Sequence, residues 1–494
     1  MFGPGISWLI GEARNVVRFT TLAYALFFAV VFAVSWLLAS RRRARLWFLL
    51  GASYFFYAQW DPRFLGLIFA TSSADWLLAH AIARQQDHQR RQRLLIVTVV
   101  MNLGVLGLFK YFDFGVAELS ALLGSLGFHA PDWALHLTLP IGISFFTFES
   151  MSYVIDVYRG ELPPHPSYLE YLTFVAFFPH LVAGPIVRPR DLLPQLSGEP
   201  RFEPGLASRA LLVIGLGLFK KLAIGDYLGL NLVDRVFDAP LQYSALECYV
   251  ALVAYAVQIY CDFSGYTDIA IGSAALLGVR FPQNFASPYK AHNIVDFWRR
   301  WHISLSSWLR DYLYIPLGGN RRGRARTYLN LLLTMLLGGL WHGANLTFVV
   351  WGALHGCLLA ATRAFQELTG RRGGTALKQS SSPGWRRVVG VFLTFHAVCF
   401  CWLFFRAKSL DDAQVVLGRL ATLSTFHPNL DPRLLGVLAA GLISHYVPDR
   451  WFQRVLGLFA DLPALAQAAV LLVLALSVRE MASLEAVPFV YFQF

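Results

Sequence analysis

The 494 residues are 56% hydrophobic and 15% charged, with a mean hydropathy of +0.50 and a formal net charge of +12. That balance excludes an ordinary soluble domain, because apolar windows of the ~20 residues that cross a ~30 Å hydrocarbon layer recur from end to end between charged connectors. The basic excess sits beside apolar spans, where it marks topology and attracts anionic membrane lipid, so nucleic acid is not an expected partner.

The expected fold class is an all-α polytopic membrane protein with roughly 11–13 transmembrane or re-entrant helices, about twelve in all, plus interfacial amphipathic helices. Helices are preferred over a barrel because the windows are continuously apolar, whereas lipid-facing strands alternate with period two. Residues 1–19 read as an N-terminal extension. The window 20–40 is too long for a cleaved signal and is followed by Arg41, Arg42, Arg43 and Arg45, so it stays as an anchor. Residues 46–83 leave and return through two apolar runs broken at Asp61 and Pro62. Residues 94–114 then cross outward and 139–158 return.

Residues 171–187 are apolar but contain Pro179, Gly184 and Pro185, and Arg188, Arg190, Arg201 and Arg209 follow. A re-entrant loop fits, and such broken backbone is tolerated at membrane depth only where it lines a cavity or packs in protein. Basic stretches at 41–45, 84–93, 290–326 and 363–387 mark the cytoplasmic side. Within the last, residues 370–384 read as a flexible cytoplasmic loop. Counting spans places both termini outside. There is no internal repeat and no obvious inverted pair of broken segments, which weighs against a transporter. Cys248, Cys261, Cys357, Cys399 and Cys401 lie in apolar segments without paired spacing, so neither a disulfide framework nor a metal site is expected.

Two places could carry chemistry. The first is residues 297–312, FWRRWHISLSSWLRDY, where Trp301, Leu305, Trp308 and Tyr312 share one helical face, away from Arg299, Arg300 and Arg310. This predicts an interfacial helix whose arginines meet anionic phosphates, of lipid or of a bound donor; a surface anchor without a ligand is the alternative. The second is residues 338–345, GGLWHGAN, inside an apolar hairpin. Sixteen residues of unbroken helix from Arg326 would carry the His342 imidazole ~24 Å from the rim at ~1.5 Å per residue, and a kink at the paired glycines would leave it nearer the middle. An ionisable ring at that depth is either an interhelical hydrogen-bonding group or a base that takes a proton from an acceptor hydroxyl. Glu149, Asp262 and Asp268 are possible orienters, while His355 and His396 read as packed polar residues. No Gly-x-Ser-x-Gly elbow or His-x-x-x-x-Asp spacing occurs, which disfavours a serine hydrolase and the usual soluble-facing glycerolipid acyltransferase site.

Motifs along nearly the whole chain resemble the membrane-bound O-acyltransferase family, in its bacterial branch typified by the alginate O-acetyltransferase membrane subunit and the teichoic-acid D-alanyltransferase. They are residues 53–64 (SYFFYAQWDPRF), 139–159 (LPIGISFFTFESMSYVIDVYR), 177–188 (FFPHLVAGPIVR), 258–268 (QIYCDFSGYTD), 296–319 and 338–354 (GGLWHGANLTFVVWGAL). The resemblance implies an acyltransferase domain over residues 20–484, with its motif core at about 139–360, built around a central tunnel in the bacterial inner membrane. It makes His342 the catalytic histidine and the motif containing His302 its second signature. No cofactor is bound; acetyl-CoA or a carrier-protein thioester is the donor, entering from the cytoplasm. An extracytoplasmic polysaccharide or acetyltransferase partner protein receives the acyl group. Arg299, Arg300 and Arg310 become candidates for donor phosphates, and Glu149, His180, Asp262, Asp268 and Asn345 for lining the cavity. Glu149 and His180 stand where the family pattern has glutamine. The aromatic tail 485–494 is an interfacial anchor or a segment that brings Tyr491 to the outer mouth as an acyl relay. Transfer of D-alanyl or longer acyl groups, and a proton- or solute-conducting transporter, are the alternative readings.

Overall fold

The computed structural model describes residues 19–128, 133–182, 184–369 and 384–481. The expectations for the N-terminal extension, the glycine-rich loop and the tail with Tyr491 fall almost wholly outside these residues. Among the described residues all regular structure is helical and no strand occurs. Six helices are long and apolar enough to cross a membrane: Phe64–Arg84, His88–Lys110, Ala245–Leu276, Leu346–Leu368, Gly384–Arg406 and Ala464–Met481, with a shorter apolar helix at Leu22–Leu37. This makes the chain an all-α polytopic membrane protein, as expected, with further apolar windows present as shorter or interrupted helices. Ile143–Arg159 has 17 residues, and the run after Pro204 passes through π-helical turns at Phe219–Gly225 and Gly229–Val233.

The chain divides into two compact units. The first comprises residues 1–215, 266–282 and 459–462. Its opening hairpin, Arg42–Ala58 and Phe64–Arg84, breaks at Asp61 and Pro62 as the sequence predicts. The predicted re-entrant region is the broken pair Tyr168–Ala176 and Phe178–Leu181, with every residue of both helices except Tyr168 and Leu169 buried. Its backbone is satisfied by side chains from elsewhere: Phe178 N–H donates to Ser53 Oγ (3.1 Å), and Val187 N–H to Glu149 Oε1 (2.9 Å). Gly142, at φ 72°, lets the preceding turn come so close that a Cβ there would lie 2.4 Å from Leu181 O.

The second unit comprises residues 216–265, 283–458 and 463–494. Its centre is the hairpin Arg324–His342 and Leu346–Leu368. Of the two possibilities at Gly338 and Gly339, the helix is continuous through both glycines to His342. Gly339 instead admits its neighbour: a Cβ there would sit 2.2 Å from Phe348 O, and one on Gly352 would sit 2.4 Å from Met335 O. The small residues form a backbone-to-backbone seam of the kind that lets membrane helices approach closely.

Candidate functional site

His342 is the last residue of helix Arg324–His342, and Gly343 follows in extended conformation (φ −163°). The next helix starts three residues later under a side-chain cap: Asn345 Oδ1 accepts from Thr347 N–H (2.9 Å), while Asn345 Nδ2 donates to Lys408 O (2.8 Å). Asn345 therefore fixes the break beside the histidine. The imidazole is buried among rings, with centroids 5.1 Å from Trp341, 5.0 Å from Trp351 and 5.2 Å from Phe405.

The second signature departs from its sequence reading. Residues 297–312 do not form one interfacial helix; they split into Ile294–Trp298 and Ile303–Leu309. Between them His302 takes the left-handed conformation (φ 43°, ψ 57°), which a non-glycine residue adopts at a cost of ~1–2 kcal/mol and which ends any continuous helical stripe. Trp301, Leu305, Trp308 and Leu309 are buried in the protein rather than presented to a headgroup layer. The turn is tied down by Ile303 N–H donating to Asn284 O (2.9 Å) and Ala286 N–H to Arg300 O (2.9 Å).

This distortion places the His302 ring in the interior. Ser304 N–H (3.2 Å) and Ser304 Oγ (2.9 Å) both donate to Asn284 Oδ1. The atom facing them is therefore the amide oxygen, and His302 Nδ1, 3.1 Å from the same oxygen, must carry the proton. Nε2 is left with its lone pair, buried and without a hydrogen-bond partner. The ring packs edge-on against Phe263 (4.6 Å) and Trp341 (6.1 Å). His302 and His342 thus both contact the same indole, Trp341.

The three arginines have different surroundings. Arg300 donates to Asp296 Oδ1 (2.9 Å) and Ala286 O (3.1 Å). Burial works against the Asp296 carboxylate, but hydrogen bonds from His292 and Arg300 outweigh it and hold its pKa at about 2. Arg310 pairs with its neighbour Asp311 (2.7 Å), and Arg299 is exposed. Arg300 is therefore a structural clip, and Arg299 and Arg310 lie nearer the surface.

Of the possible orienters, Asp262 pairs with Lys221 Nζ at 2.6 Å. Asp268 is half-buried in the first unit. Glu149 and His180, the two departures from the family pattern, meet one another in that unit, with His180 Nδ1 3.1 Å from Glu149 Oε1 and both side chains fully buried. His180 Nε2 faces Phe174 O (3.0 Å), which can only accept, so that nitrogen is protonated. The pair also receives Val187 N–H, so it fastens the broken segment to helix Ile143–Arg159. His355 is fully buried and accepts from Trp298 Nε1 (3.3 Å), whereas His396 bonds the Tyr249 hydroxyl (2.8 Å).

Sequence reasoning missed Asn284, Phe263, Trp351 and Phe405 as neighbours of the two histidines, since only tertiary packing brings them there. It also missed Lys221 and Asp226, although charged residues in an apolar run were a readable signal.

The membrane-bound O-acyltransferase family model matches residues 146–404. A probable alginate O-acetylase AlgI of Azotobacter vinelandii is 40% identical over 493 residues, covering 92% of this chain and 96% of that protein. A second, from Pseudomonas aeruginosa, is 44% identical over 397 residues, covering 80% and 73%. A peptidoglycan O-acetyltransferase of Helicobacter pylori is 37% identical over 406 residues, covering 77% and 74%. The matched span contains both His302 and His342, and the chain therefore belongs to the membrane-bound O-acyltransferase family, as a multi-pass membrane acyltransferase.

Proposed function

We propose that this acyltransferase moves an acetyl group from a cytoplasmic thioester, acetyl-CoA or a carrier-protein thioester, to a hydroxyl of an extracytoplasmic polysaccharide or to a partner protein that completes the transfer. The bacterial cytoplasmic membrane is the setting. The observation that carries the reading is that two buried imidazoles both pack on the Trp341 indole, one of them with a lone pair at Nε2. His342 serves as the general base, and His302 supports it across the indole.

An alcohol is a poor nucleophile at neutral pH. An imidazole that accepts its proton as the oxygen attacks the thioester carbonyl is worth ~10²–10⁴ in rate. The new carbon–oxygen bond forms, the carbon–sulfur bond breaks, and the thiolate leaves towards the donor side and is protonated there. The surrounding rings of Trp351 and Phe405 exclude water, which protects the thioester from hydrolysis. Arg299 and Arg310 are candidates to meet donor phosphates at the surface, where guanidinium pairs well with phosphate oxygens.

The test is to supply membranes with acetyl-labelled coenzyme A, then with an acetyl-loaded carrier protein, and follow the label into lipid, protein and polysaccharide fractions. His342→Ala is expected to abolish labelling while the folded protein stays in the membrane. Equal labelling by purified variant and wild type would remove His342 from the mechanism. Labelling from D-alanyl but not acetyl donors would move the reading to aminoacyl transfer.

A further inference from the structure

The long helix Ala245–Leu276 carries Tyr255, Gln258 and Asp262 at i, i+3 and i+7 on one face. Against this face runs the segment with the π-helical turns Phe219–Gly225 and Gly229–Val233. Such turns concentrate at functional sites because they re-aim side chains at the expense of helix regularity. The approach is close: a Cβ on Gly229 would lie 2.6 Å from Gln258 Nε2, and one on Gly265 would lie 2.6 Å from Gly217 O.

In this contact Lys221 Nζ is 2.6 Å from Asp226 Oδ1 and 2.6 Å from Asp262 Oδ1, with the three side chains 1%, 5% and 1% exposed. Beside them, Gln258 Oε1 and the Tyr255 hydroxyl are buried and have no hydrogen-bond partner. One Lys–Asp pair would suffice to join the two segments. The second carboxylate gives the triad a net negative charge when all three groups are ionised, and charge at this depth is expensive. A proton cancels it with no rearrangement. Among the other charged groups near the triad, Asp234 pairs with Arg406 (2.7 Å), Lys220 Nζ donates to Ser264 Oγ (3.1 Å) and lies over the Tyr260 ring (5.8 Å), and Arg433 lies over the Tyr227 ring (5.4 Å).

We propose that Lys221, Asp226 and Asp262, with Gln258 and Tyr255, hold an exchangeable proton within the membrane and pass it during acyl transfer. The relay role rests on the proposed thioester-to-hydroxyl reaction. There His342 takes the proton of the attacking hydroxyl and must give it up again to the thiolate that leaves towards the donor side, so each turnover hands one proton on from the imidazole. The triad is adjacent to the machinery: Phe263, next after Asp262, packs on the His302 ring.

The experiment uses the full chain in lipid vesicles. Asp226→Asn keeps the Lys221–Asp262 pair and leaves the triad neutral. In infrared spectra at neutral pH, the wild type should show the carbonyl band of a protonated, buried carboxylic acid, shifted in heavy water, and Asp226→Asn should remove or displace it. A wild type without such a band overturns the proton-holding claim. In the transfer assay, Asp226→Asn should slow acyl transfer by about tenfold or more and flatten one limb of its pH profile, with an unchanged thermal midpoint, while Asp226→Glu restores both. A variant with wild-type rate and pH profile overturns the relay. If the wild type transfers no acyl group from any thioester, the proposed reaction falls, and the infrared band still decides whether the triad holds a proton.

Discussion

His180 in the first unit and His302 in the second are both fully buried, yet they are held in opposite ways. Each nitrogen of His180 is committed, one to Phe174 O and one to Glu149. His302 is gripped on Nδ1 alone, through Asn284, and its other nitrogen faces the interior. His342 sits within a ring of Trp341, Trp351 and Phe405. His180 thus fastens the broken segment through its contacts to Phe174 O and Glu149, whereas the proposed reading assigns His302 and His342 to the reaction.

The contrast is breakable by mutation. The largest effect should come from His342→Ala, which lowers transfer of labelled acetyl by ~10²–10⁴ with little change in the melting profile. A loss of folded protein equal to the loss of activity would place His342 with His180. Next, Glu149→Gln or His180→Gln should each destabilise by ~3–5 kcal/mol, because each leaves a buried partner uncompensated. The double variant should recover part of that, with a coupling of ~0.5–3 kcal/mol in a thermal or denaturant cycle. Strict additivity would show that the two side chains do not act as a unit. Asn284→Leu removes the acceptor that fixes the His302 tautomer and should slow transfer about tenfold or more, while Asn284→Asp preserves the acceptor and most of the rate. The smallest effect belongs to Arg299→Ala, a change of at most ~1 kcal/mol in donor binding that fades with added salt. Salt-independent loss would locate Arg299 inside a closed donor site.

Much of this arrangement was legible in the sequence. Asp61 and Pro62 marked the break in the first hairpin, Pro179 and Gly184 marked the interrupted segment, and the Trp-His-Gly run marked His342. Local spacing misled at residues 297–312: the aromatic stripe is real, but His302 in the left-handed region breaks it, and the strain is held by Asn284, eighteen positions away in the chain. The paired glycines left a bend or a straight helix open in the sequence; the helix is continuous, and Gly339 admits the Phe348 backbone. The Glu149–His180 pair was visible as two unusual residues without any indication that they touch. Such pairings are set by contacts between distant segments, which no local periodicity encodes.

The seam at Gly339 and Gly352 limits how this enzyme can diversify. Where main chains touch, there is no layer of side chains to thin or thicken, so the frame carrying His342 can hardly be reshaped without prising its two helices apart. With His342 in the role proposed above, new acyl or acceptor preferences would arise in the replaceable walls, at positions such as Trp351 and Phe405, while the scaffold behind the imidazole stays the same.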